Sequence, residues 1–159
     1  MKLYKILKNA FLVTVACLAL SACATSKKST GQMQGDVYTG TDTVEYLANG
    51  VPDRVFFATN KSSLTTRSRD TLRKQATYLR KNKDLTVTIE GHADERGTRE
   101  YNLALGERRA NAAKDYLMTY GVSGKRISVI SYGKEKPVNP ASSPLAWSQN
   151  RRSVTIKAN

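Results

Sequence analysis

Residues 85–117 read LTVTIEGHADERGTREYNLALGERRANAAKDYL, and two periodicities meet in them. The first seven residues alternate. Leu85, Val87 and Ile89 share one face while Thr86, Thr88 and Glu90 share the other, the pattern of a strand buried on one side. Beyond Arg99 the spacing changes to threes and fours. Leu103, Gly106, Ala110, Ala113, Leu117 and Tyr120 form one stripe, which predicts a helix from about Arg99 to Tyr120 with Gly121 as its C-cap. Gly106, Ala110 and Ala113 are small, so this helix can approach a sheet closely. At about 100° per residue, Asn102 and Arg109 fall on one edge of the stripe, roughly 60° to 80° from its centre. Arg108 points to solvent. A strand followed at once by such a helix predicts a layered fold with a loop, residues 92–98, at the junction.

The flanking sequence completes the pattern. DRVFFA (53–58) is apolar and β-prone, a first strand. Thr66 to Lys81 reads as a helix with Leu72, Ala76 and Leu79 on one face. RISVISYG (126–133) is a third strand and RRSVTIK (151–157) a fourth, with Val154 and Ile156 alternating against Ser153, Thr155 and Lys157. The order β-α-β-α-β-β predicts a two-layer α+β domain over 51–159. Both helices should lie on one face of a four-stranded mixed sheet. SSPLAWSQNRR (142–152) reads as a loop, with Trp147 packed against the last strand.

The N-terminus has a different character. MKLYKILKNAFLVTVACLALSAC opens with Lys2, Lys5 and Lys8, followed by an apolar run from Ala10 to Leu20 broken by Thr14. That run is too short for a bilayer span of roughly 20 residues, and it predicts a secretory signal over 1–22. Leu20-Ser21-Ala22-Cys23 resembles a bacterial lipobox, in which the cysteine becomes the first mature residue and carries lipid. An ordinary signal with an incidental cysteine is the alternative. Ala24, where lipoprotein sorting would place aspartate for retention, favours the outer membrane by the same resemblance. Residues 23–50 are rich in Ser, Thr, Gly and Gln, and read as a lipidated, flexible tether.

Cysteine and charge restrict the chemistry. The two cysteines are Cys17, inside the signal, and Cys23. The mature chain then has no thiol for a disulfide or a thiolate metal site. Removing residues 1–22 takes three lysines and no acid from the formal +13, leaving +10. In a cytosolic protein this would suggest nucleic acid. In an exported lipoprotein it excludes that partner, and anionic envelope polymers, lipid headgroups or a generally basic proteome account for it.

His92 is the single histidine, and Asp94 and Glu95 stand within three residues of it. Catalysis is disfavoured. Zinc sites need several converging ligands, a triad needs a placed serine, and neither is present. His92 reads instead as a loop histidine bonded to backbone. Asp94 lies between strand and helix, where loops carry function on a rigid frame. Arg109, two turns along the helix, has a fork suited to a carboxylate. The two either pair with each other or together grip a ligand bearing both an ammonium and a carboxylate. Gly91 and Gly97 provide either ligand clearance or ordinary turns. Glu95, Arg96, Arg99 and Glu100 read as a solvated face.

GHADERGTREYNLALGERRANAAKDYL, with ISVISYGKEKP and NRR, resembles the OmpA-like peptidoglycan-binding domain over essentially all of 51–159. With the lipobox and tether, the chain is similar to the peptidoglycan-associated lipoproteins of the Tol–Pal system. The resemblance implies a non-catalytic protein without cofactor or metal. Such a protein holds the diaminopimelate stem peptide of peptidoglycan, is anchored in the outer membrane through acylated Cys23, and exchanges with periplasmic TolB in support of envelope integrity and division. Asp94 then takes the ammonium side of diaminopimelate and Arg109 a carboxylate. Asn102 and Leu103 support or line the pocket, and Phe57 forms part of its wall. The chain departs from the family at Ala58-Thr59-Asn60-Lys61, where Asn60 replaces the usual aspartate. Two alternatives keep their tests: an OmpA-like lipoprotein without a Tol partner, separated by co-purification with TolB, and an envelope hydrolase, separated by release of fragments from sacculi.

Overall fold

The structure, a computed structural model, describes residues 33–158. The signal, the lipobox and Cys23 lie outside the described residues. In chain order the elements are β1 (Met33–Gln34), β2 (Val37–Tyr38), β3 (Tyr46–Ala48), β4 (Val51–Pro52), β5 (Arg54–Phe56), α1 (Thr66–Lys81), β6 (Val87–His92), α2 (Arg99–Thr119), β7 (Ile127–Gly133), α3 (Pro144–Asn150) and β8 (Arg152–Lys157). The main sheet runs β5-β8-β6-β7. β6 and β7 are parallel, joined by α2, and β8 is antiparallel to both β5 and β6. The expected mixed α+β sheet is therefore present. Among the described residues no helix is long and apolar enough to cross a membrane.

Local chemistry explains the helix ends. Thr65 and Thr98 accept from the amides of Ser68 and Tyr101, capping α1 and α2. α2 stops in a Schellman turn: the Val122 amide bonds Leu117 O, the Gly121 amide bonds Met118 O, and Gly121 has φ +82°. α3 was not expected. Ser143 caps it by accepting from the Ala146 amide, and Pro144 sits in its first turn, where a missing N–H costs nothing. The expected loop is thus a helix from Pro144 onward.

The core lies between the sheet and α1 and α2, built from Val55, Phe57, Leu72, Leu79, Ile89 and Leu117 with small residues of α2 between them. Gly91 is the contact that brings α2 down onto β6. A Cβ there would stand 1.8 Å from Gly106 O, so this glycine serves helix–sheet packing and neither of its two expected uses. The buried stripe of α2 runs Asn102, Leu105, Gly106, Arg109, Ala110, Ala113 and Leu117. Relative to expectation it is rotated: Leu105 replaces Leu103, which is half-buried, and Tyr120 is exposed. The rotation carries Arg109 from the edge to full burial, with 0% exposure.

Two further expectations are corrected. On β8 the helix-facing residues are Ser153 and Thr155, paired across from Gly91 and Ile89. Ile156 is 39% exposed. A one-residue phase decides which set faces the core, and Thr155 is accepted there because its hydroxyl meets Gln75 Oε1 at 2.9 Å. Gln75 in turn donates to Pro52 O at 2.8 Å. The described part of the expected tether is folded, because from Met33 the chain forms two small hairpins, β1–β2 and β3–β4. Tyr38 is buried edge-on against Phe56, with ring centroids 4.7 Å apart, and Leu47 is buried too. Two buried apolar side chains hold this otherwise polar segment and cover part of the helix-free face.

Candidate functional site

The site lies where β6 ends. The chain leaves the sheet at His92, runs through Ala93 to Asp94 and reaches α2 at Arg99. Gly97 makes the turn at φ +90°. Asp94 is 7% exposed and its carboxylate is saturated. Oδ1 accepts from the Arg96 amide at 3.1 Å and from Arg96 Nε at 3.0 Å. Oδ2 accepts from Arg96 Nη2 at 2.7 Å and Arg151 Nη1 at 3.2 Å. Burial pushes the Asp94 carboxyl up, and the Arg96 and Arg151 guanidiniums more than offset this, holding it below the usual carboxylate range.

Arg109 does not pair with Asp94. Its guanidinium donates to three carbonyls, Lys61 O at 2.9 Å, His92 O at 2.8 Å and Ala58 O at 3.1 Å. It also lies over the Phe57 ring, 5.3 Å from the centroid. Burial, helped by the nearby Arg151 charge, pushes the Arg109 guanidinium down to about 10. Arg109 therefore stitches the segment after β5 to the end of β6 around a buried positive charge. Part of its donor capacity remains unassigned.

Arg151 was missed as a site residue, and it is central. It is 2% exposed. Besides Asp94 it donates from Nε to Phe57 O at 3.1 Å and from Nη2 to Asp36 O. The signal for it was the paired Arg151-Arg152 after α3, but its partner Asp94 is distant in sequence. Arg96 was expected on a solvated face. It is instead the two-point partner of Asp94, lying 4.4 Å over the Trp147 ring. Trp147 Nε1 donates to Glu95 Oε1 at 2.7 Å, so Trp147 braces this loop and does not merely pack on β8. That bond, followed by one from Ser142, lowers the Glu95 carboxyl.

The remaining expected residues divide. Asn102 is 2% exposed and its Nδ2 donates to Arg96 O at 2.9 Å, so it supports the Asp94 loop from beneath. Phe57, fully buried, sits under Arg109 as wall and core at once. Leu103 is half-buried, and its carbonyl accepts from Ser131 Oγ at 2.7 Å. Among the described residues Asn60 is the one non-glycine with positive φ, at 54°. Asparagine tolerates that conformation well, so the residue that departs from the family suits the backbone of its turn.

His92 differs from its expected role. Its carbonyl serves Arg109, but its ring is buried with no well-formed hydrogen bond, Nε2 lying 3.4 Å from Glu90 Oε2. Burial first, then the charges of Arg152, Lys136 and Arg54, push it down to about 3. It is a neutral ring on the helix-free side. No group of three His, Cys, Asp or Glu side chains among the described residues could hold a metal. What the site offers is a buried carboxylate flanked by buried guanidiniums and, on the loop after β5, the Thr59 amide, which donates to Asp36 Oδ2; this is an arrangement for gripping opposite charges.

The OmpA family model matches residues 56–151, the span from the end of β5 through Arg151. The chain belongs to the OmpA family. It is 48% identical over 147 residues to the peptidoglycan-associated lipoprotein of Rhizobium meliloti (strain 1021), covering 89% of this chain and 83% of that one. The protein of the same name from Agrobacterium fabrum is 44% identical over 160 residues, covering 96% and 89%. The crystal structure of the peptidoglycan-associated lipoprotein from Burkholderia pseudomallei matches with a TM-score of 0.65 and 37% identity, over 67% of this chain and 90% of that one.

Proposed function

We propose that this chain is an outer-membrane lipoprotein that binds peptidoglycan without covalent chemistry, holding the diaminopimelate end of the stem peptide at Asp94. The observation that carries this is the convergence of one buried carboxylate, Asp94, with buried Arg151 and Arg109 at the end of a strand. An amino-acid terminus presents an ammonium and a carboxylate together. Asp94 takes the first, and the guanidiniums and neighbouring amides take the second. The names of the relatives support the ligand. The lipobox ending at Cys23 supports the anchor. The wider resemblance supports work with TolB and the other Tol proteins at the cell envelope and in division.

The test is a titration of the mature chain in detergent with diaminopimelate-containing muropeptide, against a lysine-containing control. Wild type should select diaminopimelate, and Asp94→Ala should lose on the order of 2 kcal/mol or more of binding, the low end for one partner of a desolvated charge pair. Equal binding of both muropeptides, or an Asp94→Ala variant that binds as wild type, would refute the proposal. Release of soluble fragments from sacculi would make the chain a hydrolase instead. Co-purification with TolB checks the Tol assignment separately.

A further inference from the structure

The candidate site is already occupied from within. The β1–β2 turn places Asp36 over the loop after β5, and Asp36 Oδ2 accepts from the Thr59 amide at 2.5 Å. The Asp36 carbonyl accepts from Arg151 Nη2. On the other side Arg96 makes a two-point bond to Asp94 and reaches Thr59 Oγ1 at 3.4 Å. The chain thus lays one carboxylate and one cation of its own across the cluster. We infer that Asp36 and Arg96 mimic the carboxylate and ammonium of the ligand, so that the Met33–Tyr38 hairpin is an autoinhibitory latch which must open before an amino-acid terminus can enter.

Three observations carry this. The receiving groups are buried and the occupying groups are not: Asp94 and Arg151 have 7% and 2% exposure. Asp36 is exposed, and the Arg96 side chain is 42% exposed. Groups that must stay are locked in place, and groups that must leave face water. Second, Asp36 is brought from afar, 23 residues from Thr59 and 115 from Arg151, so the contact is not a local turn bond. Third, one amide hydrogen serves one strong acceptor, which makes Asp36 and an incoming carboxylate mutually exclusive at Thr59. The Thr59 amide is also the chief reason the Asp36 carboxyl is held below its usual range. Tyr38, pinned against Phe56, is the pivot about which the hairpin lifts.

This rests on the zwitterion-binding reading of the Asp94 site, and the experiment separates the two. Wild type, Asp36→Ala and Asp94→Ala mature chains in detergent are titrated with diaminopimelate-containing muropeptide. Amide hydrogen exchange is followed over 33–38. A closed latch weakens apparent affinity by the fraction of molecules that are open. Asp36→Ala should therefore bind roughly five- to tenfold tighter than wild type, and muropeptide should speed exchange in the wild-type hairpin. Equal or weaker binding by Asp36→Ala, with wild type binding and Asp94→Ala not, would overturn the latch and leave the site. No binding by any of the three would overturn the site, and the latch with it.

Discussion

Replacing Arg109 by alanine takes three donors at once from a fully buried place, and the cost can be worked from their surroundings. His92 O is buried and would be left without a partner, at about 1 to 3 kcal/mol. Ala58 O and Lys61 O accept in partly buried positions where water can follow the truncated side chain, so each costs about 1 kcal/mol. Burial of the guanidinium, which lowers its proton affinity to about 10, works against the native residue and trims the sum. A net loss of about 3 kcal/mol is expected, a large share of a domain's stability of roughly 5 to 15 kcal/mol. Arg109→Lys keeps the charge but cannot reach three divergent carbonyls from one nitrogen, and should lose about half as much. Urea denaturation of the mature chain, followed by circular dichroism, reads both. If Arg109→Ala unfolds within about 0.5 kcal/mol of wild type, the bracing role assigned to Arg109 is wrong, whatever the variant does to muropeptide binding.

Gly91→Ala should be among the most damaging single-methyl changes, because the new carbon would meet the backbone of α2 at Gly106 O and Gly106 C, 1.8 and 2.5 Å away. Overpacking of this kind costs about 1 to 3 kcal/mol or more, and an unchanged urea midpoint would show that α2 does not rest on β6 there. His92 makes the fold acid-sensitive earlier than its carboxylates do. Its folded value of about 3 lies below the ordinary histidine value, so the unfolded chain takes up the proton first and stability falls as pH drops below about 6.5. The slope should approach about 1.4 kcal/mol per pH unit between roughly pH 6 and 4.5 and be flattened in His92→Gln. Asp94 and Asp36, whose values are lowered, add their own loss only as pH falls through the carboxylate range. A wild-type stability flat from pH 6.5 to about 4.5 would contradict the burial of a neutral ring.

The elements were legible where a single period governs them. Thr66–Lys81 is a helix because Leu72, Ala76 and Leu79 repeat at its spacing, and Val87 and Ile89 are buried because the strand alternates. Period failed where polar groups found partners out of sight of the local sequence. Val154 and Ile156 suggest the core face of β8, yet Thr155 takes it because Gln75, on α1, supplies the hydrogen bond. The segment before Val51 looks unable to build a core, and it does not; it borrows one, by placing Tyr38 on Phe56. α3 carried its own signal in Ser143-Pro144, a cap followed by a first-turn proline.

The site was legible in its anchors and hidden in its partners, for a reason that also bears on how it works. Asp94 and Arg109 stand out because a loop acid and a helix-phase arginine can be placed from short-range pattern. Their placement suggested mutual pairing or a shared ligand. The fold separates them instead: Arg109 spends its donors on carbonyls, and Asp94 is given to Arg151 and Arg96. No local pattern predicts a bond across 57 residues, which is why Arg151 was missed. Arg96 was missed for the opposite reason, since an exposed arginine in a charged loop looks like solvent-facing charge. A buried carboxylate cannot stand unpaired without a penalty of several kcal/mol, so on the proposed reading, in which Asp94 receives an ammonium, the site must hold a substitute until one arrives. Arg151, buried, is the permanent share of that neutralisation, and Arg96, exposed, is the share that can leave. The same partition into fixed and removable charge recurs at Thr59 with Asp36. A site closed by its own charges stays stable while empty, and its cost is weaker apparent binding until those charges step aside.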